Sequence, residues 1–237
     1  MQGLLPSIDA LNDLTSVLEF TRDVCIENGV KRMSYHFSPI FDEPNSIRTV
    51  VYAHGFSPEW LKLYEEADFR AHDPIPSRTY ANGEFMTWVE AMEAEPNTPE
   101  QDEYLKAMKE AGLEHGFGLT LFGPRGRQAY ASFDFGKPLE EIDQEKIALV
   151  RALAQMSHQR LCHLVDEEHD AKDLSDRESE VLTWMARGKS SFDIGVILGL
   201  SPDTVKTYRK RIYDKLEVHD RLSAVIRALK LGLIHAA

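Results

Sequence analysis

Basic side chains are concentrated in one short stretch of the chain, "SPDTVKTYRKRIYDKLEV", residues 201–218. A helix turns by about 100° per residue, so the stretch can be divided into two faces. The apolar face is formed by Val205, Tyr208, Ile212 and Leu216. The opposite face is formed by Asp203, Lys206, Thr207, Lys210, Arg211 and Asp214. Lysine can donate to guanine and aspartate can accept from the cytosine amino group, so this face has the chemistry to read base edges.

The segment before this helix favours a helix-turn-helix, because two short helices are joined by a turn containing Gly199. In that unit the second helix lies in the major groove, and residues near its start contact the bases. The residues predicted to read bases are Asp203, Lys206, Thr207 and Lys210. Arg209 lies on the flank, where a contact with phosphate is expected. A charged face alone would fit any solvent-exposed helix, so the interpretation depends on the caps and the turn.

The charge of the chain is distributed unevenly. The whole sequence of 237 residues has a formal net charge of −12, whereas residues 171–237 hold 12 Lys and Arg against 9 Asp and Glu. The acidic front should repel nucleic acid, and the basic back can approach phosphates. No apolar run is long enough for a membrane span and the first residues lack a signal-peptide pattern, so we expect a cytoplasmic protein without a membrane partner.

Residues with nucleophilic or metal-binding chemistry are few and scattered. Cys25 and Cys162 lie in apolar-periodic stretches, which favours small buried side chains over a disulfide or a nucleophile. His115, His158 and His163 have no spacing typical of a metal site or of a base beside a nucleophile. We therefore expect no catalytic residue, no metal and no cofactor.

Hydrophobic periodicity predicts helices on both sides of a sheet in residues 1–165. Helices are expected in "IDALNDLTSVLEFTRDVCIENG", "SPEWLKLYEEADF", "NTPEQDEYLKAMKEAGLEHG" and "KPLEEIDQEKIALVRALAQMSHQRLCHLV", and "HDPI" should break the second of them. Strands are expected in "RMSYHFSPI" and "IRTVVYAHG", joined by the turn "FDEPNS", and in the hairpin "FGLTLFGPRGRQAYASFDF". The predicted fold class is α+β, with an N-terminal α/β/α sandwich around a mostly antiparallel sheet.

The remainder of the chain predicts a linker and a small all-α domain. "DEEHDAKD", residues 166–173, has almost no apolar side chain and is interpreted as an interdomain linker. Residues 174–237 then contain signals for four helices, including a capping box formed by Ser175 and Glu178. The later helices are expected to begin at Ser190 or Ser191, at Ser201 and at Asp220. The predicted domains are therefore 1–165 and 174–237.

The sequence from "LSDRESEVLTWMARGKSSFDIGVILGL" through the basic helix to "RLSAVIRALKLGLI" closely resembles the LuxR-type DNA-binding domain. The resemblance adds Lys189 and Thr204 to the candidate DNA contacts. The full predicted set is Lys189, Asp203, Thr204, Lys206, Thr207, Arg209, Lys210 and Arg211. The sequence departs from the family at Tyr208, where histidine is usual, and at Phe192 and Asp193.

The front half resembles the autoinducer-binding domain of quorum-sensing LuxR proteins. The resemblance is carried by "WLKLYEEADFRAHDP", by Trp88 and by "AGLEHGFGLTLFGPRG". It implies a small-molecule signal, of which an N-acyl homoserine lactone is the expected one. One recognition helix per chain and the apolar fourth helix with Val225, Ile226 and Leu229 predict a homodimer on an inverted repeat of promoter DNA, and RNA polymerase is expected as a further partner. We therefore expect a ligand-responsive transcription regulator of quorum sensing.

The resemblance also implies roles for individual residues. Trp60 is expected to donate its indole N–H to the lactone carbonyl, and Asp73 to accept the amide N–H of the signal. Tyr64 and Trp88 are expected to line the pocket, and Ser132 can donate to the acyl carbonyl. Taken singly, Trp60 could be a core residue and Asp73 could cap a turn before a proline. Their shared order in the family favours the ligand interpretation.

One departure affects the predicted pocket. Phe56 stands where family members often have a tyrosine whose hydroxyl bonds the acyl carbonyl. The sequence therefore predicts either that Ser132 performs this role alone or that the acyl side of the signal differs.

Other functions remain open at this point. A receptor for a non-lactone signal, a ligand-independent dimeric DNA-binding protein and an enzyme with an accessory DNA module are the alternatives. No nucleophile–base pair or phosphate-binding loop supports the enzyme. Turnover of a bound lactone, or failure of every small molecule to stabilise the front half, would discriminate among them.

Overall fold

The computed structural model describes residues 5–38, 48–168 and 174–234. The chain divides into two compact units: unit 1 comprises residues 1–123 and 127–165, and unit 2 comprises residues 124–126 and 166–237. The predicted turn "FDEPNS" lies outside the described residues, as do residues 169–173 of the predicted linker. The fold class predicted from the sequence is confirmed: a sheet flanked by helices and a separate four-helix unit.

Unit 1 consists of eight described helices and five described strands. The helices are α1 (Leu5–Asp9), α2 (Leu14–Glu27), α3 (Pro58–Glu66), α4 (Phe69–His72), α5 (Pro74–Asn82), α6 (Trp88–Glu93), α7 (Pro99–Glu110) and α8 (Gln144–Glu168). The strands are β1 (Arg32–Phe37), β2 (Val50–His54), β3 (Phe85–Thr87), β4 (Gly116–Phe122) and β5 (Gln128–Asp134). Short 3-10 turns occupy Pro124–Gly126 and Leu139–Glu141. The hairpin turn "GPRG" therefore lies between β4 and β5, as predicted.

The five strands form one sheet in the order β2-β1-β5-β4-β3, and every neighbouring pair is antiparallel. Side chains of a strand alternate between the two faces of a sheet, so the register decides which residues share a face. Ser34 on β1 is paired with Ala53 on β2 and Ser132 on β5. His36, two residues along β1, is paired with Val51 and Tyr130. These residues form two adjacent rows on one face.

The opposite face of the sheet carries the main core of unit 1. Met33, Tyr35, Phe117 and Phe133 pack there against apolar residues of α2 and α8. A second cluster, which includes Trp60, Ile75, Trp88, Tyr104 and Met108, lies among the helices α3–α7 and contains Tyr130 of the sheet. The sheet is thus covered on both faces, which makes unit 1 an α/β/α sandwich.

The segment after "HDPI" contains structure that the sequence interpretation did not predict. A break does occur there, because α4 ends at His72, but a new helix begins at once with Pro74 at its first position. Proline has a preset backbone angle that suits the first helical turn, so it starts α5 as well as ending the preceding helix. The short strand β3 and α6, which has a capping box formed by Thr87 and Glu90, were likewise not predicted.

Helix α8 extends into the predicted linker. It runs from Gln144 to Glu168, three residues beyond the boundary expected at residue 165. Absence of apolar side chains removes a reason for burial but does not end a helix, because glutamate is a good helix former. The predicted linker is therefore helical over residues 166–168.

Unit 2 has the four helices predicted from the sequence: α9 (Asp176–Ala186), α10 (Ser191–Leu198), α11 (Pro202–Leu216) and α12 (Arg221–Lys230). Each begins at a capping side chain that accepts a backbone N–H, namely Ser175, Ser190, Ser201 and Asp220. The core includes Val181, Leu182, Ile194, Val205, Ile212 and Ala224. The Lys215 Nζ donates to the buried Glu178 carboxylate at 2.7 Å, which links α11 to the start of α9.

Candidate functional site

A cavity lies in unit 1 between the sheet and the helices α3–α7, and it contains about 530 Å³ of space not filled by atoms, including its opening to solvent. All six residues proposed from the sequence as ligand contacts are brought together on its wall: Phe56, Trp60, Tyr64, Asp73, Trp88 and Ser132. The wall also contains residues that the sequence interpretation missed, of which the polar or aromatic ones are Ser34, His36, Tyr104 and Tyr130.

Asp73 supplies a buried carboxylate to this wall. Its Oδ1 accepts the backbone N–H of Ile75 at 2.9 Å and so caps α5, and its Oδ2 accepts the Tyr64 hydroxyl at 3.2 Å. Burial raises the pKa of Asp73 from 3.8 to about 6, against hydrogen bonds from Ile75, Tyr104 and Tyr64 that lower it. The capping role considered for Asp73 and its position on the cavity wall are therefore both present in the structure.

Trp60 belongs to an aromatic cluster at the same wall. Its ring centroid lies 6.1 Å from those of Tyr64 and Tyr104, and 6.3 Å from that of Phe69. The side chain is only 7% exposed. Within the part of the chain that the structure describes, its indole N–H has no hydrogen-bond acceptor. Because tryptophan can only donate through this group, the wall offers one buried donor to a bound molecule.

The sheet contributes a polar floor to the cavity. The hydroxyls of Ser34 and Ser132 are 2.8 Å apart, and Nε2 of His36 lies 3.0 Å from the Ser34 hydroxyl. The rings of His36 and Tyr130 meet edge to face with centroids 5.2 Å apart. Burial, with a smaller contribution from Arg70, lowers the pKa of His36 to about 4. Its imidazole is therefore neutral at physiological pH.

Two glycines of β4 make room for aromatic rings beside this floor. A Cβ atom on Gly118 would lie 2.6 Å from Cε2 of Tyr130, and one on Gly116 would lie 2.3 Å from Cε2 of Trp88. Real side chains do not approach so closely, so only glycine admits these rings. Burial raises the pKa of the Tyr130 hydroxyl, while hydrogen bonding from Trp88 and Ser132 opposes that rise.

The missed floor residues could have been found from the register of the sheet. Ser34 and His36 share a face with Ser132 because β1 is paired directly with β5. The sequence predicted these strands but not which of them are neighbours, since β1 and β5 are almost one hundred residues apart. Tyr104 lies on α7 and reaches the cavity through tertiary packing, which the sequence did not predict either.

The predicted DNA-binding residues lie on α11, apart from Lys189, which precedes α10. Those that are exposed are Lys189, Asp203, Lys206, Thr207, Lys210 and Arg211, whereas Thr204 and Arg209 are half-buried. Lys206 Nζ donates to Asp203 at 2.9 Å, and the Thr204 hydroxyl lies 2.8 Å from that of the capping Ser201. The guanidinium of Arg209 lies over the Tyr213 ring, 6.0 Å from its centroid.

Hydrogen bonds from a side chain of α12 hold the turn that contains Lys189. The guanidinium of Arg221 donates to the backbone carbonyl of Lys189 at 2.8 Å and also bonds the carbonyl of Met185. The apolar residues Leu222, Ile226 and Leu229 of α12 are at least partly exposed.

Among the described helices of the chain, none is long and apolar enough to cross a membrane.

Comparison with known proteins matches both halves of the chain. Residues 13–161 match the autoinducer binding domain, and residues 172–228 match the luxR family of bacterial regulatory proteins. The quorum sensing-dependent transcriptional regulator RpaR of Rhodopseudomonas palustris is 30% identical over 183 residues, which cover 77% of this chain and 74% of RpaR. The transcriptional activator AnoR of Acinetobacter nosocomialis is 27% identical, with 98% of each chain covered.

A solved structure has the same fold. SdiA in complex with octanoyl-rac-glycerol superimposes with a TM-score of 0.75 at 22% sequence identity, covering 100% of this chain and 96% of SdiA. The crystal structure of Escherichia coli SdiA in another crystal form gives a TM-score of 0.76 at 21% identity, with 99% of this chain and 98% of that chain covered.

Proposed function

The chain belongs to the luxR family of bacterial transcription regulators, and we propose on this basis that it binds an N-acyl homoserine lactone in the unit 1 cavity and promoter DNA as a homodimer. As a quorum-sensing regulator it has an autoinducer-binding domain and a DNA-binding domain, and its family is not one of enzymes. The identity of the signal and the dimeric state are the parts that we propose.

The observation that carries the lactone proposal is the matched set of donors and acceptors on the cavity wall. The lactone head offers two carbonyl acceptors and one amide donor. The wall offers the Trp60 indole N–H as a donor without a described acceptor, the Asp73 carboxylate as an acceptor and the Ser132 hydroxyl as a second donor. Each buried polar group needs a partner, because leaving one unpaired costs about 1–3 kcal/mol. A lactone would supply the Trp60 indole with an acceptor and give Asp73 and Ser132 one further hydrogen bond each.

The acyl carbonyl is assigned to Ser132, because Phe56 has no hydroxyl to offer. Phe56 is half-buried on the same wall, so it contributes apolar surface only. Ser132 can donate to the ligand when it accepts a hydrogen bond from Ser34, whose hydroxyl is 2.8 Å away, and turns its proton from the Tyr130 hydroxyl to the ligand. Tyr64 and Trp88 provide the aromatic sides of the pocket.

The test is stabilisation of the full chain by a panel of acyl homoserine lactones, measured as the shift in melting temperature and as Kd. Asp73→Ala and Trp60→Phe should each reduce the binding free energy of the best lactone by about 1–3 kcal/mol. Ser132→Ala should cost as much as Trp60→Phe, and Phe56→Tyr should restore part of that loss. Lys62→Ala on the solvent side of α3 is the matched control and should bind as the parent does. Parental binding by both Asp73→Ala and Trp60→Phe would place the site elsewhere.

A second candidate signal is a non-lactone acyl ester. A protein of this fold, SdiA, is described in complex with octanoyl-rac-glycerol. A glycerol hydroxyl can donate to Asp73 where the lactone would use its amide, so octanoyl glycerol belongs in the panel. If it stabilises the chain and no lactone does, the receptor responds to esters. If no small molecule stabilises the chain, a ligand-independent regulator should replace both proposals.

Unit 2 is proposed to bind an inverted repeat of promoter DNA, with α11 in the major groove and RNA polymerase as a further partner. The exposed Lys206, Thr207 and Lys210 are the candidates for base edges, and Arg209 for phosphate. Two copies related by a twofold axis would place two α11 helices on successive turns of the same groove face. A cytoplasmic location belongs to this proposal, because that is where the promoter DNA is.

A further inference from the structure

His36 is the residue of the cavity floor whose chemistry the proposed lactone head does not use. It lies on β1 beside Tyr130 of β5, lines the cavity and is 7% exposed. Its Nε2 is occupied by the Ser34 hydroxyl at 3.0 Å. Its other ring nitrogen, Nδ1, has no hydrogen-bond partner among the residues that the structure describes. His36 therefore contributes to the cavity wall a ring nitrogen for which a bound molecule could supply a partner.

The imidazole ring of His36 is held in one orientation by two neighbouring side chains. The Tyr130 ring packs edge to face against His36, and the bond to Ser34 fixes Nε2. Burial lowers the pKa of His36 to about 4, so one ring nitrogen donates and the other accepts at neutral pH. Because Ser34 is proposed to donate its one hydroxyl proton to Ser132, Nε2 of His36 donates to Ser34 and Nδ1 is the acceptor. An unsubstituted acyl chain has no donor for Nδ1, and it would exclude water from the site at a cost in free energy.

We propose that the acyl part of the signal carries a hydroxyl group, which hydrogen-bonds to Nδ1 of His36 on the cavity floor. This inference rests on the proposed lactone function and adds a selectivity residue to it. A hydroxyl can donate to Nδ1, whereas a ketone oxygen can only accept and would leave this nitrogen without a partner. The hydroxyl can belong to an aliphatic chain or to an aromatic ring, since the imidazole recognises the same O–H in both.

Two matched pairs of lactones test the inference on the full chain. The aliphatic pair is N-octanoyl homoserine lactone and its analogue with a hydroxyl on the third acyl carbon. The aromatic pair is N-phenylacetyl homoserine lactone and its analogue with a para hydroxyl. For at least one pair, the hydroxylated member should bind about tenfold more tightly, which corresponds to about 1.4 kcal/mol. The pair that shows the preference indicates whether the hydroxyl of the signal lies on an aliphatic chain or on an aromatic ring.

Variants of His36 then assign the preference to this residue. His36→Phe keeps a ring of similar shape against Tyr130 but removes the nitrogen, so the two members of the pair should bind within about twofold of each other. His36→Asn retains a polar atom and should keep part of the preference, and it serves as the second variant if His36→Phe does not fold. Thermal unfolding without a ligand checks the fold of each variant. Asp73→Ala should weaken both members equally and leave their ratio unchanged.

Three outcomes would overturn the inference. The first is that the parent binds both members of each pair equally, and the second is that the preference survives in His36→Phe. In either case Asp73→Ala would still weaken lactones, so the lactone function would stand without the hydroxyl subsite. If no lactone binds to the parent, the proposed function and this inference both fail.

Discussion

The buried carboxylate of Asp73 predicts that signal binding depends on pH. The ligand amide N–H is proposed to donate to the ionised carboxylate, so binding favours ionised Asp73. Its pKa in the protein is about 6 because burial disfavours the charge. At about pH 7.5 nearly every molecule is ionised, whereas at about pH 5 roughly one in eleven is. Lactone affinity should therefore fall about tenfold, or about 1.4 kcal/mol, over this interval.

The same shift predicts the opposite pH trend for the stability of the protein without a ligand. A carboxyl whose pKa is raised on folding is less favourable in its charged form in the folded state. Ionising this buried carboxyl lowers the free energy of unfolding. The loss is absent below pH 3.8 and complete above about pH 6, where it reaches about 3 kcal/mol. Relative to Asp73→Asn, in which the buried His36 and His158 oppose acidification as they do in the parent, acidification should thus stabilise the free protein through Asp73 while it weakens lactone binding. A nonspecific loss of structure at low pH would lower both.

The assay is isothermal titration of one lactone, together with urea unfolding, at about pH 5 and pH 7.5. Asp73→Asn is the matched control, because asparagine can still cap α5 but does not titrate. Its affinity should be partly reduced and independent of pH. Among the described residues of the cavity wall, His36 has a pKa near 4 and burial raises the pKa of Tyr64 and Tyr104, so none of these changes charge in the interval. Equal pH dependence in the parent and in Asp73→Asn would refute the reasoning.

Three further predictions concern unit 2. Lys206→Ala and Lys210→Ala should lower the ratio of operator to random DNA affinity by about 1–3 kcal/mol, while Arg209→Ala should weaken all sequences alike and make the salt slope shallower by about one unit. Binding titrations across salt concentrations check this, and an unchanged ratio for both lysine variants would contradict it. Footprinting should reveal two half-sites with centres about 10 bp apart, and full affinity for a single half-site would exclude the dimeric arrangement. Lys215→Met should lower the free energy of unfolding by about 1–3 kcal/mol because it leaves the Glu178 carboxylate without its cation, and adding Glu178→Gln should recover part of this loss in urea unfolding.

Unit 2 could be predicted almost completely from the sequence because its signals are local. Each helix begins at a capping serine or aspartate, and the capping boxes at Ser175 and Ser190 lie within four residues of sequence. The apolar face of α11 follows the helical period, and Val205, Ile212 and Leu216 are buried as expected. No long-range pairing had to be known to obtain these elements.

Unit 1 was predictable in its strands but not in the floor of its cavity. The residues proposed from the resemblance lie on the cavity wall, yet Ser34, His36 and Tyr130 were not among them. They share a face only because β1 is paired with β5 across a long sequence separation, and local periodicity does not specify strand neighbours. Pro74 was interpreted as a stop signal alone, although the same ring geometry also starts α5.

The polar groups of the cavity connect the stability of unit 1 to its signal. Asp73 is ionised at neutral pH at the expense of stability, and the Trp60 indole and His36 Nδ1 have no partner among the described residues of the cavity wall. Each such group costs about 1–3 kcal/mol when water is excluded, which is large beside a typical domain stability of about 5–15 kcal/mol. A signal that accepts from the Trp60 indole, pairs with His36 Nδ1 and donates to ionised Asp73 would offset these costs only in the folded state, and a ligand shifts an equilibrium by its preference for one state. If the proposed signal binds as described, the residues that select it would also be those through which it increases the population of folded unit 1.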